Sequence, residues 1–199
     1  MTKFIFDLDG TVTSKETLPL IASHFGIEAE MYELTKETIA GNIPFIESFI
    51  RRVFILGKLP ISEISDLLKA VPLYKNVVTF IKENINDCVI ATGNLRCWTE
   101  NLLNSIDCKY YCSDCSIKGN KVNKLTSILK KEDVVKLYKS NGERVIFIGD
   151  GNNDAEAMRI ADVSIASGLT HYPAKSVLAT ADYLIFNEDA LCRQLTQLL

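Results

Sequence analysis

The stretch "FIFDLDGT", Phe4–Thr11, decides how the rest of the chain is read. Its first half is short, aromatic and β-branched, and a turn signal follows, the pattern of a buried β-strand. The strand ends in two carboxylates, Asp7 and Asp9, separated only by Leu8. Such groups repel each other unless something positive lies between them. Side chains at i and i+2 of an extended end point the same way, so both can address one pocket. Gly10 then lets backbone N–H groups approach an anion closely.

Working outward, the 199 residues are 47% hydrophobic and 24% charged, enough for a real core in one domain, or one domain with a small insert. Net charge is −3 and both signs are interspersed, so no basic face advertises nucleic acid. No apolar run reaches membrane-spanning length, and the N-terminus lacks a signal-peptide layout. A soluble cytoplasmic protein is expected. Cys88, Cys97, Cys108, Cys112, Cys115 and Cys192 then default to free thiols. Cys108, Cys112 and Cys115 form C-x3-C-x2-C, a spacing open to zinc, but no fourth ligand lies nearby and ordinary half-buried thiols are the plainer reading.

Residues 15–70 read as helical. "KETLPLIASHFG" has apolar positions at helical spacing and stops at Gly26; "FIESFIRRVFIL" repeats the pattern; "ISEISDLLKAV" follows Pro60, with Ser62 as a cap candidate. Beyond Pro72 the rhythm changes. "KNVVTFIKENI", "CWTENLLNSI", "KEDVVKLYKSN" and "DAEAMRIA" read as helices, and "DCVIAT", "RVIFIGD", "VSIAS" and "DYLIF" as strands. The segment around Gly119-Asn120 reads as a β-hairpin. The fold class is therefore α/β: a doubly wound parallel sheet (a Rossmann-like core) from residues 1–14 and 72–199, interrupted by a helical cap over 15–71, with a small β-hairpin.

Three strands end in polar clusters: Asp7-Leu8-Asp9, Thr92-Gly93-Asn94, and Asp150-Gly151-Asn152-Asn153-Asp154. Sites in open parallel sheets form outside the carboxyl ends of the strands, so the three should converge on one edge. Asp7, Asp9, Asp150 and Asp154 would crowd together there, and a hard cation with oxygen ligands, Mg2+, would relieve the repulsion and bridge to phosphate. One Asp can then attack phosphorus while a neighbouring Asp moves protons. Thr92 adds a hydroxyl donor, and a lysine neutralises developing charge.

These residues resemble the haloacid dehalogenase superfamily of phosphatases: "DLDGT" is similar to its first motif, "ATGN" to its second and "IGDGNND" to its fourth. The resemblance implies that Asp7 is the nucleophile and Asp9 the acid/base and a metal ligand through its carbonyl. It further implies that Asp150 binds Mg2+ and that Asp154 supports the metal shell. Lys131, at the start of the helix before the fourth motif, suits the third-motif lysine, with Lys130 and Lys124 as alternatives.

Substrate choice should lie in the cap, which resembles that of the phosphoserine-specific branch. There Glu16 would hold an ammonium and Arg52 a carboxylate, with Gly93, Asn94 and Asn153 as further substrate-binding residues. Phe45, Phe49 and Arg52 share a helix face by spacing, whereas Arg51 has Glu47 four residues before it, the spacing of a surface ion pair. Glu16 also reads as a helix-capping acid. Asn94 stands where that branch has Gly. The expected partner is a small phosphorylated metabolite, L-phosphoserine first. The rivals are a hydrolase of another small phosphate (a sugar or methylthio-sugar phosphate), a phosphotransferase, and a silent phosphate binder. Both histidines lie outside the three clusters and read as poor catalytic candidates, and Trp98 reads as packing.

Overall fold

The computed structural model describes residues 1–39 and 42–199, without the side chains of Ile39 and Phe45. Phe45's part in the helix face with Phe49 and Arg52 therefore lies outside the described residues. The elements run β1 (Thr2–Phe6), α1 (Thr17–His24), α2 (Glu28–Ile39), α3 (Phe45–Leu56), α4 (Ile61–Lys69), α5 (Lys75–Glu83), β2 (Cys88–Leu95), α6 (Arg96–Ile106), β3 (Lys109–Lys118), β4 (Lys121–Ser127), α7 (Lys131–Ser140), β5 (Arg144–Gly149), α8 (Ala155–Ile160), β6 (Val163–Ser167), α9 (Lys175–Leu178), β7 (Tyr183–Ile185) and α10 (Glu188–Leu198).

β1 alternates its side chains between two cores. Phe4 and Phe6 face Val77, Phe80 and Ile81 of α5, Leu102, Leu103 and Ile106 of α6, and Leu191 and Leu195 of α10. Ile5 points the other way, toward Val134, Val135 and Tyr138 of α7 and Ala157 and Met158 of α8. A strand buried on both faces has to be apolar at every position, which explains the unbroken run before Asp7. The sheet has seven strands in the order β4-β3-β2-β1-β5-β6-β7. Every pairing is parallel except β3 with β4. The chain winds outward from β1 through β2 and β3, then returns to β5 on the other side. The switch point therefore lies between β1 and β5, where open sheets hold their ligands.

β3 and β4 form the hairpin, turning on Gly119 and Asn120 with φ of 54° and 57°. Two positive φ values in a two-residue turn favour Gly and Asn. That turn also caps α4: Ser62 N donates to Asn120 Oδ1 (3.0 Å) and Ile61 N to the Asn120 carbonyl (2.9 Å). Ser62 is not the cap itself but the second residue of a helix whose N-cap is Pro60.

α1 to α4 carry their own apolar cluster, with Ile21, Phe49, Val53, Leu56, Ile64 and Leu68, which leans on Leu95 and Trp98. Trp98 is fully buried, as packing requires. The chain enters and leaves this helical segment at neighbouring points: Thr13 bridges Leu73, Ser14 N donates to Pro72 O (2.9 Å) and Tyr74 N to Val12 O (3.0 Å). Of these helices α2 is the most polar, which is why the sequence does not single it out. No helix among the described residues is long and apolar enough to cross a membrane.

Candidate active site

β1 and β5 run in register to Phe6 and Ile148, and Asp7 N donates to Ile148 O (2.8 Å), so the first and fourth motifs leave the sheet side by side. α7 lays Val134, Val135 and Tyr138 on the sheet and sends its first residue, Lys131, inward. Lys131 is 2% exposed, and its Nζ lies 2.6 Å from Asp7 Oδ1 and 2.6 Å from Asp154 Oδ1. Asp154 Oδ2 accepts from the backbone N–H groups of Asp150 (3.0 Å) and Gly151 (2.9 Å). Both Asp154 oxygens are thus engaged by the protein. Asp150 Oδ1 accepts from Thr11 Oγ1 (3.1 Å). Gly10 has φ of 70°, which favours glycine, and a Cβ there would press on the carboxylates of Glu16 (Oε1, 2.8 Å) and Asp150 (Oδ2, 2.9 Å).

The electrostatics follow from this crowding. Burial pushes Asp7 well above the ordinary carboxylate value, Asp154 adds to the push, and Lys131 pulls the other way. Burial works against the Lys131 ammonium, yet Asp154 and Asp7 hold its pKa above the ordinary lysine value. Asp150 is raised to about 6 by burial, with the hydrogen bond from His171 opposing. Asp9 is raised to about 7 by burial and then by Glu16. A carboxyl poised near neutrality can both give and take a proton at working pH.

Asp9 is held from two sides. Thr17 N donates to Oδ1 (2.9 Å) and Asn94 Nδ2 to Oδ2 (2.6 Å), while the same Nδ2 reaches Thr17 Oγ1 (2.8 Å). Asn94 Oδ1 is buried without a hydrogen-bond partner. Thr92 is fully buried, its Oγ1 accepting from Asn94 N (3.2 Å). Gly93 faces the fourth motif: a Cβ on it would lie 3.9 Å from Asn153 Nδ2. The three strand ends therefore meet on one edge.

Glu16 precedes α1 but makes no side-chain cap bond, so its carboxylate is not spent on the helix. It instead accepts from His171, whose Nε2 lies 2.9 Å from Glu16 Oε1 and 3.0 Å from Asp150 Oδ2. These hydrogen bonds raise the His171 pKa to about 11, so the ring is cationic here. His171 is the residue that the sequence reading passed over. It follows β6, a fourth strand ending on the same edge, and that strand end was the available signal. Arg52 donates from Nη2 to Thr35 Oγ1 (3.0 Å), and its Nε is buried with no partner. Burial lowers its pKa while the nearby charge of Glu16 raises it, so the two groups sense each other. Arg51 instead pairs with Glu47 at 2.5 Å on the surface.

Lys130 and Lys124 stand outside this group: Lys130 is the exposed N-cap of α7, and Lys124 lies exposed on β4. The cysteine triplet does not converge. Cys108 donates to Cys88 O (3.3 Å) within one core, while Cys115 packs with the helical insert against Cys97. No cysteine belongs to a metal-ligating cluster among the described residues.

Two groups do have that capacity, each with ligand atoms within 4.8 Å: Asp7, Asp150 and Asp154, and Glu16, Asp150 and His171. The first fits a metal ion on its charge. Three buried carboxylates face one ammonium, and the upward shifts of Asp7 and Asp150 are those a cation would reverse.

A family model described as haloacid dehalogenase-like hydrolase matches residues 2–162. The chain is 28% identical over 177 residues to the phosphoserine phosphatase of Methanocaldococcus jannaschii, covering 81% of this chain and 83% of that one. It spans 43 to 58% of three other phosphoserine phosphatases that it matches. Among solved structures, a substrate-bound phosphoserine phosphatase complex aligns with a TM-score of 0.81 at 23% identity, covering 100% of this chain and 99% of the other. A phospho-aspartyl intermediate analogue of phosphoserine phosphatase aligns at 0.78 and 22% identity, covering both chains fully (100% and 100%). These two structures share the fold.

Proposed function

The chain belongs to the haloacid dehalogenase-like hydrolases and is a phosphatase; from that premise we propose that it hydrolyses L-phosphoserine through an aspartyl-phosphate on Asp7, with Mg2+ as its cofactor. The observation that carries this is the pairing of two unlike carboxyls, Asp7 locked against Lys131 and Asp9 without an ion-pair partner and poised near neutral pH. Asp7 attacks phosphorus, and the proton of Asp9 goes to the departing serine oxygen. Asp9, now ionised, takes a proton from water, which attacks the phosphoryl group and releases it from Asp7. Lys131, Thr92, Gly93 and Asn153 surround the phosphoryl oxygens, and Asp154 holds Lys131 and the turn after β5 in place. Mg2+ held by Asp7, Asp150 and the Asp9 carbonyl would neutralise charge at the phosphoryl oxygens.

Residues 15–71 act as a cap on the core built from 1–14 and 72–199. Within it, Arg52 takes the substrate carboxylate and Glu16 the ammonium. The unpartnered Arg52 Nε supports this, because a buried donor left without an acceptor is costly until a ligand arrives. The M. jannaschii relative named above is a phosphoserine phosphatase, which supports the same substrate. Six free cysteines suit a reducing cytoplasm, where we place the chain.

A second reading is favoured by two features beside Asp9 and Glu16. His171 already engages Glu16, and Asn94 projects a side chain beside Asp9. Both fit another small phosphate ester, such as a sugar or methylthio-sugar phosphate. Phosphate release with Mg2+ from L-phosphoserine and from a panel of sugar and nucleotide phosphates separates the two. Preference for L-phosphoserine, lost in Asp7→Asn, is the expected result. Activity only on esters without an ammonium would transfer the reading to the second class.

A further inference from the structure

Two cysteines outside the active-site cluster face each other. Cys97 Sγ lies 3.4 Å from Cys115 Sγ. Their approach is fixed by the residues before them. β2 and β3 pair in parallel, and their last register pair is Leu95 with Ser113. One residue on, Arg96 Nε binds Asp114 Oδ2 at 3.1 Å. One residue further, the two thiols meet. A backbone pairing and an ion pair thus deliver Cys97 and Cys115 to each other, and the hairpin turn that caps α4 keeps β3 from swinging away. The other four thiols are arranged differently: Cys88 and Cys108 are buried in the core beneath α5 and α6, with the Cys108 thiol spent on a backbone carbonyl, Cys112 is buried on β3, and Cys192 lies half-buried on α10.

Cys97 is also reachable. It lines an open cleft of about 310 Å³ between α4 and α6, with Ser62, Ser65, Glu100, Asn101 and Asn120. That admits a molecule as small as hydrogen peroxide.

We propose that Cys97 and Cys115 are a reversible oxidation site, in which a peroxide oxidises Cys97 and Cys115 resolves it as a disulfide. In the first step the Cys97 sulfur attacks one peroxide oxygen, the O–O bond breaks, and the departing hydroxide leaves as water with the thiol proton. In the second, the Cys115 sulfur attacks the Cys97 sulfenic sulfur, the S–O bond breaks, and the hydroxide leaves as water with the Cys115 proton. Two thiols and one peroxide give one disulfide and two waters. Burial raises both thiol pKa values, so the first step is slow and answers to sustained peroxide. The second is fast because its partner is already in place.

The bond would tie α6 to β3 just beyond Thr92, Gly93 and Asn94, where the β2–β3 register is already irregular. Closing 3.4 Å to a bonded distance of about 2.05 Å pulls on that corner. Resting here on the phosphatase reading, turnover falls about tenfold on oxidation and returns with reductant.

The test is peptide mapping of the full chain after hydrogen peroxide, with the free thiols blocked before digestion. The expected product is a Cys97–Cys115 cross-link, formed ahead of any other pair and lost on reduction. Cys115→Ser should accumulate a sulfenic acid on Cys97 that dimedone traps, and Cys97→Ser should give neither product. A map in which other cysteines oxidise first, or in which Cys97 oxidises without linking to Cys115, overturns the proposal, and needs no assay of activity. A complete cross-link that leaves turnover of the best phosphate ester unchanged overturns its effect on the site and leaves the phosphatase reading standing.

Discussion

The two walls of the site are finished to different degrees. On the core wall the charged atoms are matched: Lys131 spans Asp7 and Asp154, and Asp154 takes two backbone N–H groups. On the wall facing the helical insert, a buried donor (Arg52 Nε) and a buried acceptor (Asn94 Oδ1) have no partner. Buried polar groups are nearly always satisfied, so unmatched ones at a site mark where a ligand belongs. On the proposed reading, the core wall carries the chemistry and the other wall takes the substrate.

The largest effect should come from breaking the finished wall. Lys131→Ala leaves Asp7 and Asp154 buried without their cation, and stability should fall by about 3–5 kcal/mol in urea denaturation. Mg2+ should restore part of that loss. A loss under 1 kcal/mol would mean that water replaces the ammonium and that the wall is not closed.

On the open wall Arg52→Ala should raise KM for L-phosphoserine by about 10- to 100-fold. Phosphoethanolamine, which lacks the carboxylate, should show no matching change. An equal change for both would place Arg52 in the structure of the insert instead of on the substrate.

A pH experiment sharpens the comparison without mutation. Asp9 and Asp150 have folded pKa values of about 7 and about 6 against an ordinary value of 3.8. The metal-free folded chain therefore keeps protons that the unfolded chain has released, and its stability falls as pH rises from about 4 to about 7. Melting curves of the chelated protein should show Tm dropping across that window. Mg2+, which favours the ionised carboxylates, should flatten the drop. A metal-free Tm that rises across the window contradicts the crowding argument.

The smallest effect is expected from His171→Gln. It frees Glu16 of a half-exposed cationic partner, so KM for L-phosphoserine should fall about threefold. His171→Gln also releases Asp150. The readout is therefore the KM for L-phosphoserine relative to that for esters without an ammonium, which should respond alike to the change at Asp150. A rise in that ratio would make His171 a contact of the substrate instead of a competitor for Glu16.

Much of this was legible before any coordinates. Phe4 to Phe6 is apolar at every position because both faces are covered, and the three polar strand ends had to share an edge because the sheet is parallel. His171 was missed for a specific reason. "VSIAS" reads as a strand, and the parallel-sheet rule puts the residues after it on the same edge too, but nothing in "GLTHYPA" resembles a catalytic motif. The role of Asn120 in capping α4 was not readable, since it acts across 58 residues of sequence. The cysteine spacing was ambiguous by nature, because only the packing of β3 sends Cys108 and Cys115 to different cores. α10 was not singled out either, yet its Leu191 and Leu195 complete the core beneath β1.

The most direct test of the central claim is to locate the covalent phosphate. The protein would be mixed with L-phosphoserine and Mg2+, quenched in acid within the first turnovers, digested and mapped by mass spectrometry. The account predicts a phosphoryl group on Asp7, and none in Asp7→Asn. Phosphate on another residue, or full turnover by Asp7→Asn, would contradict it.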